Sequence, residues 1–299
     1  MRSFLRGCLA LLFLVVNTLF WCTPLFALAL VRLLLPLPAV RRRVDPLLNA
    51  IAKAWISCNA VWAGPSPSFI YDVQGVESLR PGGWYIVSAN HQSWVDIFVL
   101  QHVFNRRIPL LKFFLKQQLV WVPVIGLAWW ALDFPFMRRH GKEALQRNPA
   151  LRLQDRNSTR RACEKFALVP TSVMNFAEGT RFTPAKHRAQ GSPYRHLLQP
   201  KAGALAMTLD ALGGHFRALL DVTIAYPAGV PTFWQLLCGR VPLVRVRVRE
   251  REIPPHFSGG TDENPMLRAE VQDWLRDMWT QKDDELVRLL QPASAGQDG

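Results

Sequence analysis

The stretch Gly83–Asp96, GWYIVSANHQSWVD, holds the turn around which the rest of the chain is read. Its first half is apolar, rich in β-formers and preceded by Pro81-Gly82, so it reads as a strand leaving a turn. Its second half is polar up to Trp94, and from Val95 to Val103 the apolar pattern becomes helical. A strand passing through a polar turn into a helix is the repeating unit of an α/β domain.

The same alternation continues outward. Ser68–Val73, Pro109–Phe114, Thr171–Phe176, Leu219–Ala225 and Leu243–Glu250 read as strands. Thr159–Leu168, Gly203–Leu212 and Glu263–Leu290 have helical spacing. The expectation is an α/β fold with a single central mixed sheet flanked by helices, spanning residues 67–255. Residues 256–299 add a C-terminal helix and a frayed tail, QPASAGQDG. In the last strand Arg245, Arg247 and Arg249 alternate with valines and share one face, predicted to be exposed or to touch phosphate or membrane.

Upstream of the domain, residues 1–66 read as a membrane-anchoring helical segment. Between Arg6 and Arg32 lie 25 residues without a charge. That is long enough to span a bilayer core and too long for a signal peptide, and no A-x-A-like site ends it. Two arrangements stand open: one hydrophobic helix over roughly residues 8–31, or a helical hairpin broken near Thr23-Pro24, since proline removes a donor and clashes with the preceding turn. Arg2 and Arg6 before the run and Arg41–Arg43 after it favour the cytoplasmic side for both flanks. Residues 44–66 follow as an amphipathic helix, either near the interface or as a linker packed on the globular part. A second uncharged run, Gln117–Leu132, is expected to be part core and part membrane-facing, with Trp129 and Trp130 near lipid.

Composition narrows the partners. Hydrophobic residues make up 49% and charged residues 19%, which excludes a disordered chain. A net charge of +14 points to nucleic acid or an anionic membrane, and 11 tryptophans favour the membrane, where indole sits at the headgroups. The cysteines, Cys8, Cys22, Cys58, Cys163 and Cys238, form no CxxC and no cluster with histidines at metal-ligand spacing. Neither a disulfide framework nor structural zinc is expected, a reducing compartment fits, and no metal or cofactor is assigned.

His91 and Asp96 carry the chemistry. Five residues apart on one continuous helix they would point about 140° apart. With His91 in the turn and Asp96 in the first helical turn they can meet. The carboxylate then fixes the imidazole tautomer and frees the other ring nitrogen as a base. No G-x-S-x-G occurs, so a serine-hydrolase reading lacks its motif. A second polar segment, Asn175-Phe176-Ala177-Glu178-Gly179-Thr180-Arg181, leaves another predicted strand.

Together N-H-Q-S-x-x-D and E-G-T-R resemble the glycerophospholipid acyltransferase family of the 1-acyl-glycerol-3-phosphate acyltransferase type, in family order and spacing. Lys116-Gln117-Gln118-Leu119 with Pro123 and Gly126, followed by Phe136-Met137-Arg138, resembles the family's second block, although Leu132 stands where that block has glycine. Pro200-Lys201-Ala202-Gly203 and Val222–Pro227 resemble later family segments, closest to a subgroup that includes lysophosphatidylinositol-type and bacterial acyltransferases. The resemblance covers about residues 70 to 250.

It implies acyl transfer from acyl-CoA or an acyl carrier protein to the hydroxyl of a lysophospholipid, most simply 1-acyl-glycerol-3-phosphate, among membrane lipids and without nucleic acid. His91 would be the base and Asp96 its orienting partner. Arg138 and Arg181 would grip phosphate through planar forks, with Lys116 and Lys201 as point charges. Gly179 would allow a tight turn, and Thr180 belongs to the same substrate-binding segment. Glu178 would organise the arginine or the acceptor hydroxyl, or pair with Arg181 or Arg138. The implied location is a bacterial inner membrane, with the site facing the cytoplasm. Another lysophospholipid acceptor, and a non-catalytic basic module for anionic membrane or nucleic acid, stand as alternatives.

Overall fold

The computed structural model describes residues 1–64, 69–137, 169–261 and 264–291. The predicted helix at Thr159–Leu168, Arg138 and the tail lie outside them. The chain opens with two long helices, α1 (Arg2–Leu34) and α2 (Pro38–Ala63). The α/β part then runs β1 (Ile70–Gln74), β2 (Tyr85–Ala89), α3 (Val95–Phe104), β3 (Leu111–Phe113), β4 (Leu115–Lys116), α4 (Ile125–Ala131), β5 (Phe136–Met137), β6 (Ser172–Asn175), α5 (Pro184–Gln190), α6 (Gly203–Leu212), β7 (Ala218–Ala225), α7 (Phe233–Leu237), β8 (Leu243–Arg251) and α8 (Pro265–Leu290).

Six strands form one mixed sheet in the order β1-β8-β7-β2-β6-β3, and β4 and β5 pair as a separate ribbon. β2 lies parallel to both β6 and β7, and β3 is parallel to β6. β8 is antiparallel to β7 and parallel to β1. Every residue of β2 and β7 is buried, as expected of central strands covered on both faces. One face packs Tyr85, Val87, Leu220 and Val222 against α3 and α7. The other packs Ile86, Val173 and Leu219 against α6 and against Leu275, Trp279 and Leu286 of α8. The parallel strands β2, β6 and β7 therefore deliver their carboxyl ends, and the loops that follow, to one edge, where α/β sheets place ligand sites.

The arginine face of β8 meets protein rather than phosphate or lipid. Arg247 bonds Asp72, Arg249 bonds Glu285 and Arg251 bonds Asp221. Arg245 donates to the carbonyls of Leu289 and Gln291 at the end of α8. Acidic partners from β1, β7 and α8 are distant in sequence, which hides this pairing from the strand pattern alone.

α1 is continuous through Pro24, so the break near Thr23-Pro24 does not occur. Proline removes one intrahelical donor, but Cys22, Leu25 and Ala29 are buried against α2 and α4 and carry the helix across. The hairpin forms instead between α1 and α2. At 33 residues α1 is about 50 Å long, and it packs on the rest of the protein at both ends and in the middle. Near its start a Cβ on Gly7 would lie 2.7 Å from Cys238 Sγ, so glycine permits the close approach of α1 to α7. At its middle Asn17 donates to Asn59 Oδ1 at 2.9 Å, and Trp55 Nε1 donates to Thr18 Oγ1. The opposite side of α1 exposes Leu5, Leu9, Leu12, Val16, Phe20, Leu30 and Leu34. The Gln117–Leu132 run is likewise divided: Gly126, Ala128 and Ala131 are buried, while Trp121, Leu127 and Trp130 are exposed.

The end of α1 is tied down by charge. Arg32 pairs with Asp45 of α2 at 3.0 Å and with Asp133 after α4 at 2.7 Å, and donates to the Ala131 carbonyl. Arg32→Ala removes the guanidinium that bonds both carboxylates and leaves them with the charge of the neighbouring buried Lys112. Breaking a buried pair costs about 3–5 kcal/mol, and partial exposure of the acids brings the expected loss to about 2–3 kcal/mol. Thermal unfolding of the variant checks this, and an unchanged midpoint would show that the hairpin does not depend on the Arg32 pairs.

Candidate active site

The strand β2 ends at Ala89, and the next residue sets the loop. Asn90 acts as a strand residue by its side chain: Nδ2 donates to the Ile224 carbonyl and Oδ1 accepts from the Ile224 N–H. Ser93 donates to the Pro231 carbonyl and accepts from the Val95 N–H. The loop is thereby pinned to β7 on one side and to the segment before α7 on the other. α3 begins at once, with Asp96 in its first turn, where the helix dipole favours an anion.

Asp96 is fully buried. Its Oδ2 lies 2.9 Å from His91 Nδ1 and accepts from the N–H groups of Gln92 and Ser93 at 2.6 and 2.9 Å. Its Oδ1 accepts from the Tyr226 hydroxyl at 2.7 Å. With three other donors already on the carboxylate, the Nδ1 proton belongs to the imidazole and points at Asp96. Among the described residues nothing bonds Nε2, so that nitrogen is the available base. The ring stacks on Phe176 with centroids 3.9 Å apart.

Glu178 is also fully buried, and its carboxylate faces backbone rather than Arg181. Oε1 accepts from the His91 N–H and Oε2 from the Leu198 N–H, each at 3.0 Å. It thus ties the loops after β2 and β6 to the chain before α6. The Phe182 N–H donates to the His91 carbonyl at 2.7 Å, a second tie between the two motif loops. Burial pushes the Glu178 carboxyl up to about 8, aided by Asp96 and opposed by the two amides and Lys282.

Beyond Glu178 the chain turns outward. Gly179 has φ +70°, a left-handed conformation, and a Cβ there would meet only Lys201 atoms at 3.8 Å. Backbone conformation, not space, requires glycine here. The turn exposes Arg181, whose guanidinium lies 5.0 Å over the exposed indole of Trp94. Lys201 is exposed beside Gly179, and Lys186 of α5 donates to Thr180 Oγ1 and to the Arg181 carbonyl. His91, Asp96, Glu178, Gly179, Thr180, Arg181 and Lys201 therefore form one contiguous group. Lys116 stands exposed on β4, paired opposite Met137, and no described contact joins it to this group.

Phe176 leads inward. Phe113 stacks between Phe176 and Phe134, with centroids 6.4 Å from each. Phe134 lines a small apolar cleft between α1, α2 and α4, with Trp21, Trp55, Leu110 and Trp129 among its walls. The site thus has a base, a basic rim and an apolar cleft joined to the base by a row of rings. Sequence reasoning assigned no role to Asn90, Ser93, Trp94, Lys186 or Tyr226. The first three lie within the quoted motif, whereas Tyr226 is 130 residues from its partner.

A protein-family model described as Acyltransferase matches residues 70–228. Lysocardiolipin acyltransferase 1 of Mus musculus is 25% identical over 262 residues, covering 79% of this chain and 64% of that protein. The 1-acyl-sn-glycerol-3-phosphate acyltransferase gamma of Homo sapiens is 24% identical over 212 residues, covering 66% and 51%. Among solved structures, the 1-acyl-sn-glycerophosphate acyltransferase PlsC from Thermotoga maritima matches with a TM-score of 0.48 and 18% identity, over 94% of this chain and 98% of that one. The chain spans between half and two thirds of the length of the curated relatives it matches.

The two amides on Glu178 generate a prediction. In Glu178→Gln one oxygen becomes an NH₂ group facing a backbone N–H, so a buried donor meets a donor. The expected loss is about 1–3 kcal/mol of stability. The raised folded-state value means that the stability linked to Glu178 is present below its ordinary 4.5 and lost as pH rises through about 8. Denaturant unfolding from pH 4.5 to 8 should show this decline in the parent and a flatter profile in the variant. Superimposable profiles would remove Glu178 from the account of pH dependence.

Proposed function

The chain belongs to the acyltransferase family, and we propose on that premise that it transfers a fatty acyl group from a thioester to the free hydroxyl of a lysophospholipid. The observation that carries this reading is the Asp96-held His91, with Nε2 free among the described residues beside the basic Gly179–Arg181 turn. The acceptor hydroxyl loses its proton to Nε2 as its oxygen attacks the thioester carbonyl. The tetrahedral intermediate collapses with cleavage of the C–S bond, and the imidazolium returns the proton to the departing thiolate. An ester and a thiol result, without an acyl-enzyme.

The donor is acyl-CoA or an acyl carrier protein. The acceptor is most simply 1-acyl-glycerol-3-phosphate, whose phosphate would lie on Arg181 and Lys201 while an acyl chain follows Phe176 and Phe113 toward the apolar cleft. Arg138 and Lys116 are proposed to complete the anion site. Among the described residues the guanidinium of Arg181 rests on Trp94 rather than on a carboxylate, which leaves its donors for phosphate. The protein works at the cytoplasmic face of a membrane, in a bacterium the inner membrane. The apolar stripe of α1 would lie in lipid, with Trp121, Leu127 and Trp130 beside it.

Two experiments test the reading. His91→Ala should fold, stay with the membrane fraction and lose acyl transfer; turnover above a tenth of the parent would sink the assignment. Arg181→Lys keeps the charge and loses the fork. It should raise KM for the lysolipid by roughly ten- to a hundredfold and leave KM for the thioester nearly unchanged. A defect confined to the thioester would move the arginine to the donor's phosphates.

For the membrane arrangement, Leu9→Glu with Leu12→Glu places two charges in the exposed stripe of α1. Sedimentation with phosphatidylglycerol-containing vesicles should find this variant in the supernatant and the parent in the pellet. Equal binding would shift the anchor to Trp121, Leu127 and Trp130.

A further inference from the structure

Resting on the reading of His91 as the base, we infer that Tyr226 is a positioning residue that sets the strength of that base through Asp96. Its hydroxyl donates to Asp96 Oδ1 at 2.7 Å, while Nδ1 of His91 lies 2.9 Å from Oδ2 of the same carboxylate. One anion is thus shared between a phenol and an imidazole. Each unit of negative charge that the phenol satisfies is withdrawn from the imidazolium that forms during catalysis.

The placement of Tyr226 follows from the sheet. β7 runs beside β2 and ends at Ala225, one residue before Tyr226, so the ring enters the core under the His91 loop from the neighbouring strand. The side chain is almost wholly buried among the apolar residues of the α3 face. Burial first, and then Asp96, push its phenol well above the ordinary range, so the group remains a neutral donor at any working pH. The Asn90–Ile224 bonds hold β7 and the loop in fixed register, which fixes the distance from the phenol to the carboxylate.

Other charged or titratable groups face the same cluster. Glu178 and Arg181 come from the loop after β6, and Tyr71 of β1 lies near Tyr226. His102 of α3 packs against Tyr71 with the rings tilted, and Lys282 of α8 acts on Glu178. Tyr71 donates to the Ala63 carbonyl, and the oxygens of Glu178 are occupied by amides. Tyr226 alone among these side chains shares the Asp96 carboxylate with His91 in the described residues.

Tyr226→Phe removes the hydroxyl and keeps the ring. The carboxylate then gives more of its charge to His91, which holds its proton more tightly. The acid limb of the kcat/KM profile should move up by on the order of half a pH unit to one unit. The Nδ1 proton resonance of His91, assigned by its loss in His91→Gln, should move downfield in the full chain in detergent micelles. Site-specific 3-fluorotyrosine at position 226 is a stronger donor of the same shape, and both readouts should move the opposite way. An unmoved resonance and profile in folded Tyr226→Phe would overturn the inference; if that variant does not fold, no movement with fluorotyrosine would do so. Activity retained in His91→Ala would instead defeat the reading of the base, a result separable from the resonance, which needs no turnover.

Discussion

A buried carboxylate has to be surrounded by donors, and Asp96 gathers its donors from three sources: the preceding turn, His91 and the end of β7. Removed from that setting it would carry an uncompensated charge inside the protein. Satisfying it therefore fixes the path of residues 90–96, the tautomer of His91 and the position of Tyr226 together. The helix α3 adds its dipole to the same anion. What the site needs for chemistry, an imidazole with one nitrogen held and the other free, follows from what the core needs electrostatically.

The sheet makes this convergence possible. β7, β2 and β6 are parallel neighbours, so the residues just beyond their ends are close in space although 91, 178 and 226 are far apart in sequence. Glu178 gives both oxygens of its buried carboxyl group to backbone amides, which joins the loop after β2 to the chain before α6. The next residue, Gly179, turns the chain back to solvent and exposes Arg181 beside Lys201. A dry, fixed interior and a basic rim are thus separated by a single left-handed glycine.

The strands were readable because their apolar runs end at Pro/Gly turns, and α6 and α8 because their periodicity is long or cleanly bounded. The short elements were not. α5 and α7 hold seven and five residues, too few for a periodic pattern, and each is set by a threonine cap. The continuity of α1 through Pro24 depends on packing against α2 and α4, which no local pattern encodes. At the site, the meeting of His91 with Asp96 is local and legible from a turn placed between them. The partner of Glu178 is not, because backbone amides leave no signature in a sequence, and an adjacent arginine invites a false pairing. The basic face of β8 misleads for the same reason: its acids come from other elements.

The central claim is that His91 Nε2 removes the proton of a lysolipid hydroxyl while the Gly179–Arg181 turn holds the phosphate. A structure of the full chain with 1-acyl-glycerol-3-phosphate and a non-reactive thioether analogue of the donor tests it most directly. The account predicts the acceptor hydroxyl at about 2.6–3.2 Å from His91 Nε2, with phosphate oxygens on the Arg181 guanidinium. A hydroxyl out of reach of His91, or a lysolipid phosphate bound away from that turn, would contradict it.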